Sequence, residues 1–428
     1  MKLPFWPDPK KYRDIDLGLE RVNLLLSRIG NPHLKLPPVI HIAGTNGKGS
    51  TLSFLRQIFQ EANFTTHAYI SPHLVNFNER IILADKKISD KFLNEILLEC
   101  QKAAEKSPAI DVTFFEGITV AAFLAFSRIK ADILLLETGM GGRLDATNIL
   151  PEVLCSIITP IAFDHTDFLG KTLAKIAFEK AGIIKKNSLV IVGKQKISAS
   201  KTIKNQALKL RSKTKFFGQD WQVKKSKKSW QYIAKNHAAI DFPLPSLSGD
   251  HQVENASVAI TAAIACKKFK ITNNHIKSAL TKTFWPARLQ KITSGKFFKI
   301  LPENYELYLD GSHNLQGCET IKKFLKLQKN KKVFVIFSML KDKDCEGFLK
   351  KISGEIDKLY AIEIPDEPKS RSALEIQKIA SKVGIKSSVA IDFEEAFADI
   401  LKSNKLNKNS VIMVCGSLYL AGNFLSIL

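Results

Sequence analysis

One lysine sits where it can meet a triphosphate. The stretch His41-Ile-Ala-Gly-Thr-Asn-Gly-Lys-Gly-Ser-Thr51 joins an apolar strand-like run, Val39 to Ala43, to a helical pattern from Ser50 to Ala62. Glycines at 44, 47 and 49 let several backbone N–H groups point at one anion, and the helix N-terminus adds its partial positive charge. Lys48 reaches the terminal phosphates, and a hydroxyl from Ser50 or Thr51 completes a Mg²⁺ shell. The spacing is G-x-x-G-K-G-S, with an additional glycine between lysine and hydroxyl compared with the common P-loop. A glycine-rich turn with no ligand is the bland alternative. Strand, loop and helix in that order argue against it.

Carboxylates and a histidine follow other apolar runs. Glu137 closes Ala131 to Leu136, ahead of the glycine-rich turn Thr138 to Arg143. A carboxylate there is costly unpaired, and Mg²⁺ bridging β- and γ-phosphates would balance it; a capping or salt-bridged glutamate is the alternative. His165 with Asp164 follows the run Val153 to Thr159. Alone it reads as a hydrogen-bonded structural histidine, but with Asp164, Ser71 and Glu137 it fits a ligand set. Lys180, within Ala177 to Gly182, reads by pattern as a partly buried helical lysine. Asp310-Gly-Ser-His-Asn314 follows a strand and opens a helix, so it can bond a ribose or a small carboxylate, or simply cap. Ser338 to Asp344 and Cys415 to Tyr419 are two further strand-end turns.

The elements that must carry these residues alternate between strand and helix. That alternation predicts an α/β chain whose ligands gather beyond the carboxyl ends of parallel strands. We expect an N-terminal P-loop-type domain, doubly wound and mainly parallel, with a small antiparallel β insertion over Phe216 to Phe242. A smaller Rossmann-like α/β domain follows, with Trp285 to Arg288 as hinge and domains of 1–287 and 288–428. Such a division suits a chain of 428 residues, 45% hydrophobic and 25% charged. No apolar run reaches the roughly 18 residues that span a bilayer, and Met1 to Asp16 has no apolar signal core. The expectation is a cytoplasmic protein with no membrane partner. Six scattered cysteines without a C-x-x-C pair read as reduced structural thiols. The formal charge of +23 raises the question of nucleic acid, yet only ten of the 64 basic residues are arginine and the lysines are spread throughout. That distribution reads as a solvated basic surface that attracts anionic small molecules.

Taken together, the motifs resemble the folylpolyglutamate synthase/dihydrofolate synthase family, a branch of the Mur-type amide ligases. They are GTNGKGS (44–50), SPHL (71–74), ETGMGGRLDATN (137–148), DHTDFLG (164–170), EKAGI (179–183), PARLQ (286–290), DGSHN (310–314) and GSLYLAG (416–422), in family order over nearly the whole chain. The resemblance implies that ATP phosphorylates a carboxylate and that the amine of L-glutamate attacks the acyl phosphate. It places Thr45, Asn46, Gly47, Lys48, Gly49 and Ser50 on the triphosphate, and makes Ser50, Ser71, Glu137 and His165 the ligands of two Mg²⁺ ions. Lys180 matches the family's carbamylated lysine. Asn255, Arg288 and Asp310 match nucleotide contacts, and His313 and Ser417 lie on the glutamate side. Thr113, Phe114, Phe115 and Glu116, with Leu144, Asp145 and Ala146, match stretches that hold the pteroate end; core packing is the alternative for the two phenylalanines. Two departures stand out, since the family often has a branched residue at Thr138 and a glycine at Ala287.

The implied activity is a bifunctional ligase of dihydropteroate and tetrahydrofolates, expected as a monomer. The alternatives are a folylpolyglutamate synthase alone, a cell-wall-type Mur ligase, and a nucleotide-dependent regulator of nucleic acid. Strongly salt-dependent nucleic-acid binding without glutamate-dependent turnover would mark the last.

Overall fold

Alternation of strand and helix gives two largely parallel sheets and one small antiparallel sheet in the computed structural model, which describes residues 4–8, 17–403 and 409–428. The chain forms two compact units, one including 247–249 and 285–428, the other the chain up to 246 and 250–284.

In the larger unit the strands are β1 (Val39–Ala43), β2 (Thr66–Tyr69), β3 (Ile81–Leu83), β4 (Lys86–Lys87), β5 (Ile133–Glu137), β6 (Cys155–Ile158), β7 (Leu189–Val192) and β8 (Lys213–Phe216). They form one eight-stranded sheet in the order β4-β3-β2-β5-β1-β6-β7-β8, antiparallel only where β3 and β4 extend the edge. Every residue of β1 and β5 is buried, as expected for strands covered on both faces. The helices are α1 (Glu20–Arg28), α2 (Lys48–Glu61), α3 (Asp90–Glu105), α4 (Phe114–Arg128), α5 (Thr166–Leu169), α6 (Leu173–Ala181), α7 (Ile197–Lys209), α8 (Asp250–Ala265) and α9 (Asn273–Lys282). Val22, Leu25, Leu97, Ile118 and Phe123 from α1, α3 and α4 share one apolar cluster. Glu116 fastens it: the carboxylate caps α4 through the Thr113 N–H at 2.7 Å and accepts Arg21 Nε and Nη2 at 3.0 and 2.9 Å.

Three antiparallel strands, β9 (Trp221–Lys225), β10 (Ser229–Ala234) and β11 (Ile240–Pro243), make the small sheet. Trp221 Nε1 donates to Ser257 Oγ at 3.0 Å and the Tyr232 hydroxyl pairs with Thr261 Oγ1 at 2.9 Å, which anchors this sheet on α8. The insertion therefore begins at Trp221, because Phe216 ends β8 of the main sheet.

The smaller unit holds β12 (Gln290–Ile292), β13 (Tyr305–Asp310), β14 (Lys332–Phe337), β15 (Lys358–Ala361), β16 (Ser387–Val389) and β17 (Ser410–Cys415), in the order β12-β13-β17-β14-β15-β16. Only β12 runs antiparallel. Its helices are α10 (Lys296–Lys299), α11 (Leu315–Lys326), α12 (Cys345–Ile352), α13 (Ala373–Lys382), α14 (Phe393–Ser403) and α15 (Leu418–Ser426). Among the described residues no helix is long and apolar enough to cross a membrane.

Because Glu116 is buried, removing its partner strands a charge. Arg21→Met is expected to lower stability by about 2–3 kcal/mol, and adding Glu116→Gln should recover part of it. Urea unfolding of the three proteins checks this; equal midpoints for wild type and Arg21→Met would contradict it.

Candidate active site

The parallel register brings four strand ends to one edge. Tyr69 pairs with Leu136, Ile42 with Glu137 and Ala43 with Ile158, so the chain leaves β2, β5, β1 and β6 at the same side of the sheet. Ser71, Glu137, the Gly44 loop and the Pro160 to His165 segment follow those ends.

The phosphate-loop geometry starts with its bracing. Thr45 and Asn46 N–H groups both donate to the Pro160 carbonyl, at 3.0 and 3.2 Å, and Thr45 Oγ1 exchanges hydrogen bonds with Ala162 at 3.1 Å. Those two amides are thus committed to the loop itself. The helix begins at Lys48, two residues earlier than its sequence pattern suggests, and its N-cap Gly47 offers no side-chain acceptor. Thr51 N donates to Gly47 O at 2.9 Å, so the amides of Lys48, Gly49 and Ser50 have no acceptor within the helix. These form the anion cradle. Gly47 has φ +84°, and a Cβ there would lie 2.4 Å from Asn255 Oδ1, so only glycine fits above Asn255.

Charge is concentrated beside this cradle. Lys48 Nζ lies 3.7 Å from Glu137 Oε1, and Glu137 is 4% exposed. Lys180, on α6, is buried and donates from Nζ to Gly44 O at 2.8 Å. Burial, followed by the charge of Lys48, pulls the Lys180 ammonium down to about 7 against the opposing pull of Asp164 and Asp145. A lysine so placed is partly neutral, and therefore nucleophilic, near neutral pH. His165 adopts a left-handed backbone at φ +48°, with its amide donating to Asp164 Oδ1 at 3.0 Å and its Nε2 3.9 Å from the same oxygen.

Do these groups suit a divalent cation? Among the described residues no group of three or more His, Cys, Asp or Glu side chains gathers for a metal, so there is no all-protein cage. Glu137 and His165 with the Ser50 and Ser71 hydroxyls instead suit an ion that takes most of its shell from phosphate and water, which is how Mg²⁺ binds. Two buried hydroxyls, Thr51 Oγ1 in the first turn of α2 and Thr138 Oγ1 directly after Glu137, have no hydrogen-bond partner among the described residues. Orphaned oxygens in the phosphate-loop helix and next to Glu137 in the chain fit a site built for a solvated ion.

Aromatic rings stand at the same unit's α4 start. Phe114 packs edge-on to Phe77 with ring centroids 6.1 Å apart, and Phe115 lies 6.1 Å from Tyr69. Arg80, which sequence reasoning missed, donates to His73 Nδ1 at 2.8 Å and lies 5.6 and 5.9 Å from the Phe77 and Phe114 ring centroids. The structure thus joins the SPHL turn to the Thr113–Glu116 stretch. Of the residues matched to the pteroate end, Glu116 and Asp145 have their oxygens engaged by the protein. Asp145 Oδ2 accepts the Met140 N–H at 2.8 Å, and Oδ1 accepts the Thr147 N–H and hydroxyl at 3.0 and 2.5 Å. Both shape the walls on which Thr113, Phe114, Phe115, Leu144 and Ala146 sit.

The glycine turn also grips α6. Arg143 N donates to Glu179 O at 2.7 Å, Asn148 Nδ2 to Gly182 O at 3.0 Å, and a Cβ on Gly142 would lie within 2.9 Å of the Glu179 and Lys180 carbonyls.

A separate set gathers in the smaller unit. Asp310 and Cys415 are register partners at the carboxyl ends of β13 and β17. Asp310 Oδ1 accepts Ser312 N–H and Oδ2 accepts Leu289 N–H, both at 2.8 Å. Arg288 Nη1 donates to Ala287 O at 2.8 Å. Ala287 itself is left-handed at φ +55°, a conformation glycine takes without strain. His313 Nδ1 donates to Gly311 O at 3.1 Å, and Ser417 caps α15. Asn255 lies with the phosphate loop in the larger unit, whereas Arg288, Asp310, His313 and Ser417 form this second group.

Residues 42–263 match the Mur ligase middle domain, and 294–427 match the dihydrofolate synthetase C-terminal domain. The dihydrofolate synthase/folylpolyglutamate synthase of Bacillus subtilis is 32% identical over 426 residues, covering 94% of this chain and 93% of that protein. A probable dihydrofolate synthetase of Schizosaccharomyces pombe is 33% identical over 419 residues, covering 96% and 97%. Among solved structures, E. coli FolC in complex with DHPP and ADP has a TM-score of 0.85 at 29% identity, covering 96% of this chain and 93% of that one. A bifunctional folylpolyglutamate synthase/dihydrofolate synthase with Mn, AMPPNP and L-glutamate bound has a TM-score of 0.83 at 26% identity, covering 97% and 95%. With an identity above 30% sustained over nearly its whole length, this chain belongs to the folylpolyglutamate synthase/dihydrofolate synthase family.

Proposed function

We infer that this chain is an ATP-dependent amide ligase that joins L-glutamate to dihydropteroate and to the glutamate tail of reduced folates. One observation carries the reading: the open start of α2, Lys48, Glu137 and the partly neutral Lys180 meet at one sheet edge. The reaction divides between the two domains, with 1–287 taking ATP and 288–428 serving the glutamate.

A carboxylate oxygen of the folate substrate attacks the γ-phosphorus, and ADP leaves with the bridging oxygen's electrons. The glutamate amine then attacks the acyl carbon, the amide forms, and phosphate departs with the amine proton passed to solvent. Both steps bring anions together, so positive charge and amide dipoles must surround the transferring group. The amides of Lys48, Gly49 and Ser50 hold the polyphosphate, Lys48 neutralises its terminal charge, and Thr45 and Asn46 keep the loop in shape. Glu137, His165, Ser50 and Ser71 would hold Mg²⁺, which supplies Lewis-acid charge to the phosphoryl oxygens. Asn255, Arg288 and Asp310 contact the nucleotide, and His313 and Ser417 receive glutamate. Thr113, Phe114, Phe115, Leu144 and Ala146 face the pterin end, with Glu116 and Asp145 fixing their backbone.

Lys180 has a distinct part. Its neutral amine can attack CO₂, forming an N–C bond and losing a proton, so that a cation becomes a carbamate able to support a second metal ion.

The deciding experiment is ADP release with ATP, L-glutamate and each pterin. Turnover with both dihydropteroate and tetrahydrofolate supports the bifunctional reading. Silence with dihydropteroate alone reduces it to polyglutamylation, and silence with both overturns it. Lys48→Ala is expected to lower turnover by about a thousandfold with an unchanged melting temperature; near-normal ligation would count against the cradle. Lys180→Ala should be inactive and partly restored by short carboxylic acids, and full activity without them would make the lysine merely structural. ¹³C-bicarbonate should give a carbamate NMR signal absent from Lys180→Ala. Because the attacking amine must be deprotonated, that signal should grow as pH rises through about 7; a signal that shrinks over the same range would contradict the assignment.

A further inference from the structure

His41 is the only polar side chain of β1, and the chemistry above makes no use of it. It is fully buried, beside Leu136 of β5 and Ser156 of β6 in the sheet register. A buried imidazole must find a partner or destabilise the core. Its Nε2 lies 2.8 Å from Thr147 Oγ1. The Thr147 hydroxyl has one proton, which goes to Asp145 Oδ1 at 2.5 Å, so toward His41 that oxygen can only accept. This assigns the Nε2–H tautomer and leaves Nδ1 bare. Nδ1 indeed has no hydrogen-bond partner among the described residues. Burial, reinforced by the charge of Lys185, pulls the imidazole down to about 3. It stays neutral over the physiological range, and its donation to Thr147 does not switch with pH.

The line continues outward. Asp145 Oδ2 accepts the Met140 N–H at 2.8 Å, in the turn that follows Glu137. Gly139 of that turn is pressed against Phe115, whose ring a Cβ would meet at 2.4 Å. On the other side of Asp145 stand Leu144 and Ala146. A single hydrogen-bonded chain therefore runs from the central strand to the residues given to the pterin end.

We propose that His41 is a positioning residue for pterin recognition: donating to Thr147, it fixes the Asp145 carboxylate and with it the 139–146 turn, without touching substrate. The proposal rests on dihydropteroate being a substrate. An apolar ring at 41 would leave the Thr147 hydroxyl with no donor, free to turn away from Asp145, and the turn would be held only by the Met140 and Thr147 backbone N–H groups. The phosphate loop, braced separately through Pro160, would keep its shape.

The test uses the full chain as wild type, His41→Phe, His41→Gln and Thr147→Val, with kcat and both KM values measured by ADP release. His41→Phe should raise the dihydropteroate KM roughly tenfold, with kcat and the ATP KM within about twofold. His41→Gln, whose amide can donate to Thr147, should restore most of the loss. Thr147→Val cuts the next link and should reproduce the effect; it carries the test if His41→Phe does not fold. The double variant should be no worse than the poorer single, as for two cuts in one line. An unchanged dihydropteroate KM in a folded variant, or an equal rise in the ATP KM, would overturn the role of His41. Wild-type protein without dihydropteroate-dependent turnover would instead overturn the substrate assignment itself.

Discussion

Two lysines share one sheet edge, and the rest of the site answers to that fact. Lys180 is buried with its Nζ on the Gly44 carbonyl, and the charge of Lys48 helps to push its proton away. Lys48 in turn lies 3.7 Å from the buried Glu137 carboxylate. A buried ammonium that feels a second positive charge is costly unless anions arrive or one charge is lost. A triphosphate with its metal ion supplies the first remedy, and conversion of Lys180 to a carbamate supplies the second. The open start of α2 completes the arrangement, because its unpaired amides add to the same positive field.

Such a concentration of charge works only if its parts are held at fixed distances. The 137–148 stretch provides much of that rigidity. It ends the strand that delivers Glu137, anchors on α6 through Arg143 and Asn148, and closes on itself through Asp145. The glycines of the motif acquire a reason here: at Gly142 the turn approaches the carbonyls that surround Lys180 more closely than any side chain would permit. Hydrogen bonds tie this stretch to the helix that carries Lys180, and Phe115 packs on it at Gly139.

Sequence alone carried the strand–loop–helix order around Lys48, since glycine spacing and apolar runs are local signals. The doubly wound sheet followed from alternation, and the burial of β1 and β5 from their unbroken apolar runs. The short elements were not legible: β3 and β4 form an edge hairpin, and β12 and β16 are three-residue strands specified by their neighbours rather than by their own pattern. The start of α2 at Lys48 was hidden for a related reason, as a helix that begins on Lys-Gly has no capping residue to announce it. Glu116 and Asp145 were found by motif as substrate-side residues, yet their oxygens turn inward to Arg21, Thr113, Met140 and Thr147. The T-x-x-E spacing of Thr113 and Glu116 is a capping box that could have announced one of these contacts, whereas Arg21 is distant in sequence and the Met140 amide is a backbone group, which no spacing rule reveals. Arg80 and His41 escaped for the same reason.

The most direct measurement is a crystal structure of the protein with Mg²⁺ and a non-hydrolysable ATP analogue. The account predicts terminal phosphate oxygens within hydrogen-bond reach of Lys48 Nζ and the 48–50 amides, with the metal ion between them and Glu137. A polyphosphate bound elsewhere, leaving Lys48 and Glu137 to face only each other, would contradict it.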